Sequence, residues 1–282
     1  MERRWRAQAL ASRGRDVSEG RGNGGVTIKD YYETYWTEGG AGCTVQQELY
    51  PELRQLLAAN VDRTARCLDI GCGNGRTCGL WLREHAGGYV GVDIAEHAVA
   101  EARGLGLEAH VIKDASILPF PDNSFDVAVC VEVLEHLFDP VAAAREILRV
   151  LRPGGVLIAT VPNVTYWRRR VDLLAGSWDA AGSNEPSWED PHLRFFSVRS
   201  FSEMLARSGF DTVRVQGHLG VLLPDLPYAR WVKGRILQTN LGERQSAKRI
   251  LRRRSSRLYR FLESMAPSLL ALRLHAVARK PL

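Results

Sequence analysis

The chain has 282 residues, 45% of them apolar, and a formal net charge of +6. That length has room for one large α/β domain with additions, or for two small ones, and that apolar share supports a packed core rather than a disordered chain. No apolar run approaches the roughly 18 residues that a membrane span needs, and no apolar stretch follows the Arg-rich start, so neither a span nor a secretory signal is expected.

The charge is uneven. Residues 1–25 carry six Arg against Glu2, Asp16 and Glu19, a net of +3, and residues 230–260 carry eleven Lys or Arg against Glu243 alone, a net of +10. The remainder is therefore mildly acidic, which confines any polyanion affinity to those two segments. The five cysteines, Cys43, Cys67, Cys72, Cys78 and Cys130, show no C-x-x-C pairing. They read as reduced thiols of a cytoplasmic protein.

Residues 1–26 are rich in Arg, Gly and Ser without a hydrophobic period, which predicts a disordered tail before a folded unit at 27–282. An aromatic cluster, YYETYW at 31–36, precedes a helical pattern, VQQELYPELRQLLAAN. The cluster suits closure over a cationic ligand through its aromatic faces, or packing on a sheet. From residue 66 strands and helices alternate. RCLDIG predicts a strand and TCGLWLREHA a helix; YVGVDI predicts a strand and EHAVAEARGLG a helix ended by glycine. EAHVIKDA and FDVAVCVEVL predict two more strands, the second running into a helix near 132. PVAAAREILRVL begins with Pro140 at a favoured first-turn position, RPGG stops it, and VLIATVP predicts the fifth strand.

HLRFFS at 192–197 leads into an amphipathic helix, VRSFSEMLARSG, and a strand, DTVRVQ. The closing LRLHAVARK alternates like a final edge strand. Such β-α repetition implies an α/β fold with a doubly wound, mostly parallel sheet, helices on both faces and ligands at the carboxyl ends of the strands. The stretches 163–191 and 219–268 lose that regularity and are expected to be insertions on the substrate side, the second holding a basic helical segment.

The glycine loop after the first strand narrows the ligand. Gly71, Gly73 and Gly75 alternate with single residues after an apolar run closed by Asp69. A dinucleotide fingerprint needs two residues between its second and third glycines, and a P-loop needs a Lys-Ser/Thr pair where Arg76-Thr77 stands. Three acids frame the loop instead. Asp93 ends the second strand, 22 residues beyond Gly71, where a carboxylate accepts hydrogen bonds from both ribose hydroxyls and repels a phosphorylated ribose. Asp114-Ala115 is expected at the end of the third strand, where an acceptor meets an adenine amino group. Asp69 favours a cationic ligand. Acids and backbone amides without a phosphate clamp suit a positively charged nucleoside.

LDIGCGNG, GVDIAE, KDA, FDVAVCVEVLEHL and LRPGGVLIATVPN occur in an order and spacing that resemble class I S-adenosylmethionine-dependent methyltransferases, including the ubiquinone-pathway O-methyltransferases. The resemblance covers residues 66–163 and extends more weakly through HLRFFSVRSFSEMLARSGF. It implies a Rossmann-like methyltransferase fold with a seven-stranded sheet, an antiparallel final strand and a helical insertion. It also implies S-adenosylmethionine as methyl donor. Gly71 and Gly73 would let the backbone approach the methionine moiety, Asp93 would bind ribose, Ile94 would pack on adenine, and Asp114 beside Ala115 would bind the adenine amino group.

The acceptor side is expected in VEVLEHL. Glu132, Glu135 and His136 are spaced i, i+3, i+4, which on a helix places all three on one face. Two carboxylates and an imidazole suit Mg²⁺ or a similar ion. Ubiquinone-pathway and small-RNA 2′-O-methyltransferases hold an ion with such an E-x-x-E-H group, and the RNA enzymes add a later histidine, for which His192 is the candidate. Without an ion, His136 or His192 could serve as the general base, since imidazole titrates near neutrality. Helix capping and loop support are the structural alternatives for the same side chains.

The function these features imply is O-methylation of a small-molecule hydroxyl, on a sugar or other secondary metabolite. RNA 2′-O-methylation and a non-catalytic, methyltransferase-like regulatory partner of a biosynthetic enzyme are the alternatives. The run at 248–260 also suits peripheral contact with an anionic membrane.

Overall fold

The computed structural model describes residues 27–37, 49–176, 192–211, 213–218, 269 and 271–282. The tail expected at 1–26, the segments 177–191 and 219–268, Cys43 and the basic run at 248–260 lie outside the described residues.

Seven strands form one sheet in the order β3-β2-β1-β4-β5-β7-β6. They are β1 (Arg66–Ile70), β2 (Gly88–Asp93), β3 (Ala109–Val111), β4 (Phe125–Val131), β5 (Leu151–Pro162), β6 (Val213–His218) and β7 (Arg273–Arg279). The first five pair in parallel, while β7 runs antiparallel to both β5 and β6. The expected antiparallel final strand is present, but it is not an edge. β7 is inserted between β5 and β6 because Leu274, Ala276 and Ala278 pack in one core and Val277 in the other, so both of its faces need cover.

Alternation along the strands divides the core into two layers. Leu68, Ile70, Val90, Val92, Ala128, Cys130, Leu157 and Ala159 face α5 (Pro140–Val150) and α7 (Val198–Arg207). Cys67, Tyr89, Val127, Val129, Val156 and Ile158 face α2 (Pro51–Asn60), α3 (Gly79–His85) and α4 (Glu96–Gly104). Two further helices, α1 (Ile28–Thr37) and α6 (Trp167–Leu174), lie outside these layers. Cys67, Cys72, Cys78 and Cys130 are buried free thiols. No described helix is long and apolar enough to cross a membrane.

Local chemistry sets the boundaries that aim the site. Asp139 caps α5 by accepting from the Ala142 amide at 2.9 Å, with Pro140 in the first turn. Ser197 and Ser200 cap α7 reciprocally, and the helix then buries Phe201, Met204 and Leu205, each contributing roughly 1.5–3 kcal/mol. The helix ends at Val150, just before RPGG, as the sequence suggested, but RPGG lies inside β5 rather than ahead of it. The strand already starts at Leu151 and absorbs the glycines through a register shift opposite Phe125 and Val127, with Gly154 at φ +75°.

Candidate functional site

The glycine loop is held over the carboxyl ends of β1 and β2. The amides of Gly71 and Cys72 both donate to the Val92 carbonyl, and the Gly73 amide donates to Asp93 Oδ2 at 2.8 Å. The other Asp93 oxygen accepts from the Ala95 amide at 3.0 Å. Asp93 is thus 8% exposed and oriented by the loop on one side and the entry to α4 on the other. Burial raises its carboxyl, while these amide bonds pull the other way. Gly71 at φ +69° and Gly73 at φ +53° occupy the left-handed region that side chains avoid.

Asp69 lies beneath the loop, 3% exposed, and accepts from the Tyr89 hydroxyl at 3.3 Å. Burial pushes its carboxyl up to about 7, with the Tyr89 bond opposing and Asp93 adding. Ile94 is half-buried beside Asp93, and Ala115 is buried. The third strand stops at Val111, so Asp114 stands in the turn beyond it rather than at its end, exposed, with its Oδ1 accepting from the Ser116 amide at 2.8 Å. The expected cofactor residues therefore share one strip across β1, β2 and β3.

The aromatic cluster forms α1 and lies across this strip. None of its residues is buried, so it is not a core helix. Lys29 pairs with Glu96, and the Glu33 carboxylate accepts from the amides of Glu96 and His97, capping α4 from outside. The Trp36 indole fills the space over Gly73, and Tyr32 meets His136 edge-on with ring centroids 6.0 Å apart. YYETYW signalled aromatic cover; nothing in the sequence singled out Glu33 as the cap.

On the acceptor side the expected helix is absent. Only a 3-10 turn, Leu134–His136, follows β4, and Glu132 precedes it at φ +54°. The shared helix face for Glu132, Glu135 and His136 is therefore corrected: the left-handed Glu132 breaks the helical course. Its Oε1 accepts from the Thr160 hydroxyl at 2.8 Å, and its Oε2 accepts from Arg273 Nε at 3.4 Å. Glu135, His136 and His192 do come together, with ligand-type atoms within 4.8 Å of one another. His136 Nε2 and His192 Nε2 stand 3.7 and 4.0 Å from Glu135 Oε1, and the two rings stack at 4.7 Å.

Glu135 is 1% exposed, and among the described residues neither carboxylate oxygen has a hydrogen-bond partner. Burial and the neighbouring Glu132 carboxylate raise it well above the usual carboxylate range. The Glu135 carbonyl accepts from the amides of Leu193 and Arg194, both at 2.9 Å, which ties the His192 segment to the turn. A second tie is Asn163, whose side chain donates to the Ala271 carbonyl at 2.7 Å and accepts from Thr165, while Val164 N donates to Phe196 O. Asn163 was not singled out by sequence, and its bond partner lies 108 residues away along the chain.

Residues 68–159 match the family described as Methyltransferase domain. The 2-methyl-6-phytyl-1,4-hydroquinone methyltransferase of Synechocystis sp. is 31% identical over 148 residues, 50% of this chain and 45% of that protein. A mitochondrial arginine-hydroxylase of Rattus norvegicus is 32% identical over 151 residues, 52% of this chain and 43% of that protein. Demethylmenaquinone methyltransferase of Listeria monocytogenes serotype 4a is 32% identical over 180 residues, 57% of this chain and 76% of that protein. The chain spans about half the length of the first two relatives and three quarters of the third. Among solved structures, an S-adenosylmethionine-dependent methyltransferase of Thermotoga maritima shares the fold, with a TM-score of 0.59 at 18% identity over 90% of this chain and 100% of that one.

Proposed function

Because the chain belongs to the class I S-adenosylmethionine-dependent methyltransferases, we propose that it moves the methyl group of S-adenosylmethionine to a hydroxyl of a small molecule, a sugar or other secondary metabolite. The observation that carries this reading is the meeting of two sites at one sheet edge. The acid-framed loop at Asp69, Gly73 and Asp93 lies on one side, and the Glu135–His136–His192 trio after β4 on the other, with Tyr32 of α1 touching His136.

The chemistry asks little beyond alignment. A sulfonium methyl is already activated, so the acceptor oxygen attacks carbon as the C–S bond breaks and sulfur leaves as a neutral thioether. The hydroxyl proton must go elsewhere, and in this reading His136 or His192 accepts it. Asp93 takes the ribose hydroxyls, Ile94 packs on adenine, Asp114 beside Ala115 takes its amino group, and Asp69 balances the cationic donor. Trp36 and Tyr32 exclude water from the upper side.

A divalent ion fits the trio on one observation: among the described residues, the two buried carboxylate oxygens of Glu135 lack hydrogen-bond partners beside two imidazoles. Glu135, His136 and His192 would hold it, and Glu132, engaged by Thr160 and Arg273, would stand behind. Two imidazoles and one carboxylate suit Mn²⁺, Fe²⁺ or Zn²⁺ better than the Mg²⁺ expected from two carboxylates. Such an ion supplies Lewis acidity that lowers the pKa of an acceptor hydroxyl.

The test is calorimetry with S-adenosylmethionine and its demethylated product, followed by methyl transfer to a panel of hydroxylated, amino and carbon acceptors. Tight cofactor binding with O-methylated product supports the reading; turnover only on nitrogen or carbon acceptors overturns the hydroxyl.

A further inference from the structure

A second group of polar side chains gathers beside the trio, drawn from four separate parts of the chain. Arg273 opens β7 in register with Pro162, so it stands at the carboxyl edge where Glu132 leaves β4. Its Nε donates to Glu132, and its guanidinium lies over the Tyr50 ring, 5.7 Å from the centroid. Tyr50 is fixed in turn by its hydroxyl, 2.9 Å from His275 Nε2. Thr160 of β5 donates to the other oxygen of Glu132 and also accepts its amide. Every member is thereby oriented, yet the arrangement uses Arg273 through Nε alone. Among the described residues Nη1 and Nη2 make no hydrogen bond, and the side chain is 25% exposed.

A guanidinium is a planar fork, and its two terminal nitrogens match the two oxygens of a carboxylate or phosphate. Here the fork is oriented in advance by an aromatic face and a single long ion pair, which limits the entropy lost on binding. Glu132 engages Arg273 through Nε only, which leaves the outer edge of the guanidinium open to an anion, and a bound sulfonium adds positive charge to the same edge.

We infer that Arg273, held over the Tyr50 ring and steered by Glu132, is an acceptor-binding residue that takes an oxyanion, carboxylate or phosphate, carried by the methyl acceptor. This rests on the methyltransferase reading above and narrows its substrate class to hydroxylated acids or phosphate esters.

The experiment titrates benzoate, phenyl phosphate and benzyl alcohol into the full chain saturated with S-adenosylhomocysteine, by calorimetry. One or both anions should bind and benzyl alcohol should not; the stronger anion identifies carboxylate or phosphate. Arg273→Gln should weaken the anion by about tenfold or more, and Arg273→Lys, which keeps charge but not the fork, should fall between. The double variant Glu132→Gln/Arg273→Gln keeps the local charge balance and replaces the single variant if that one loses S-adenosylhomocysteine binding. Absence of anion binding, equal binding of benzyl alcohol, or unchanged binding in the Arg273 variants would overturn the inference while cofactor binding stands. Failure of the wild-type chain to bind S-adenosylhomocysteine would overturn the methyltransferase reading, and this one with it.

Discussion

The Trp36 indole lies so close to Gly73 that a Cβ added there would stand 2.5 Å from Cζ2 of the ring. The glycine is therefore required twice, by its positive φ and by the aromatic side chain across it. Gly73→Ala should lower S-adenosylmethionine affinity at least about tenfold and also lower the melting temperature, because backbone strain of about 1–3 kcal/mol falls on the loop. Gly73→Ala combined with Trp36→Ala should recover part of the stability, since only the clash is relieved. A double variant no more stable than Gly73→Ala would show that the indole does not constrain the loop.

Asp93 joins Gly73 to the start of α4 through two amide hydrogen bonds. Asp93→Ala should lose those bonds together with the ribose contacts, and cofactor binding should fall by about a hundredfold or more, from two charge-assisted hydrogen bonds at ~1.5–3 kcal/mol each. Calorimetry checks it. Affinity equal to wild type would remove Asp93 from the cofactor site.

Asp69 should make the ligand-free protein less stable as pH rises. Its folded-state pKa is raised from 3.8 to about 7, so the native state binds the proton more tightly than the unfolded chain. The contribution is fully present below about 4, is lost as pH climbs from there to about 7, and stays lost above. The difference corresponds to on the order of 4 kcal/mol as an upper limit. Urea unfolding of Asp69→Asn, which keeps an acceptor for Tyr89, should show a gain over wild type at pH 8 that shrinks at pH 5. A gain independent of pH would mean that Asp69 is not the titrating group.

The proton acceptor and the ion can be separated in one assay once an acceptor is known. If an ion held by Glu135, His136 and His192 is needed, a strong chelator should abolish turnover, Mn²⁺ or a similar ion should restore it, and cofactor affinity should not change. If a histidine is the base, chelation should have no effect, and His136→Ala or His192→Ala should lower turnover by about 10²–10⁴. Full activity in chelator and in both variants would leave alignment alone as the catalytic device.

Ser197 sets where α7 begins, because its hydroxyl accepts from the Ser200 amide while Ser200 reaches back to the Ser197 amide. Ser197→Ala should cost about 1 kcal/mol in chemical denaturation. No measurable loss would place the stability of α7 wholly in Phe201, Met204 and Leu205.

What the sequence determined by itself was everything local or periodic. The alternating strands, the start of α5 at Pro140, and the loop Gly71–Gly75 with Asp69 and Asp93 at fixed distances are encoded within a few turns of chain. Backbone geometry leaves them few other forms. What only the tertiary structure decided depends on residues that meet across the fold. Arg273 reads as one exposed position in an alternating strand until β7 enters between β5 and β6 and brings it to Glu132, 141 residues away. Glu132 fits a helical spacing by number, yet its left-handed backbone breaks the helix and its carboxylate is engaged by Thr160 and Arg273. His192 joins Glu135 and His136 only because Leu193 and Arg194 donate to the Glu135 carbonyl. Pairings over such separations are chosen by which buried polar groups find partners, and that is a property of the packed whole rather than of any window of sequence.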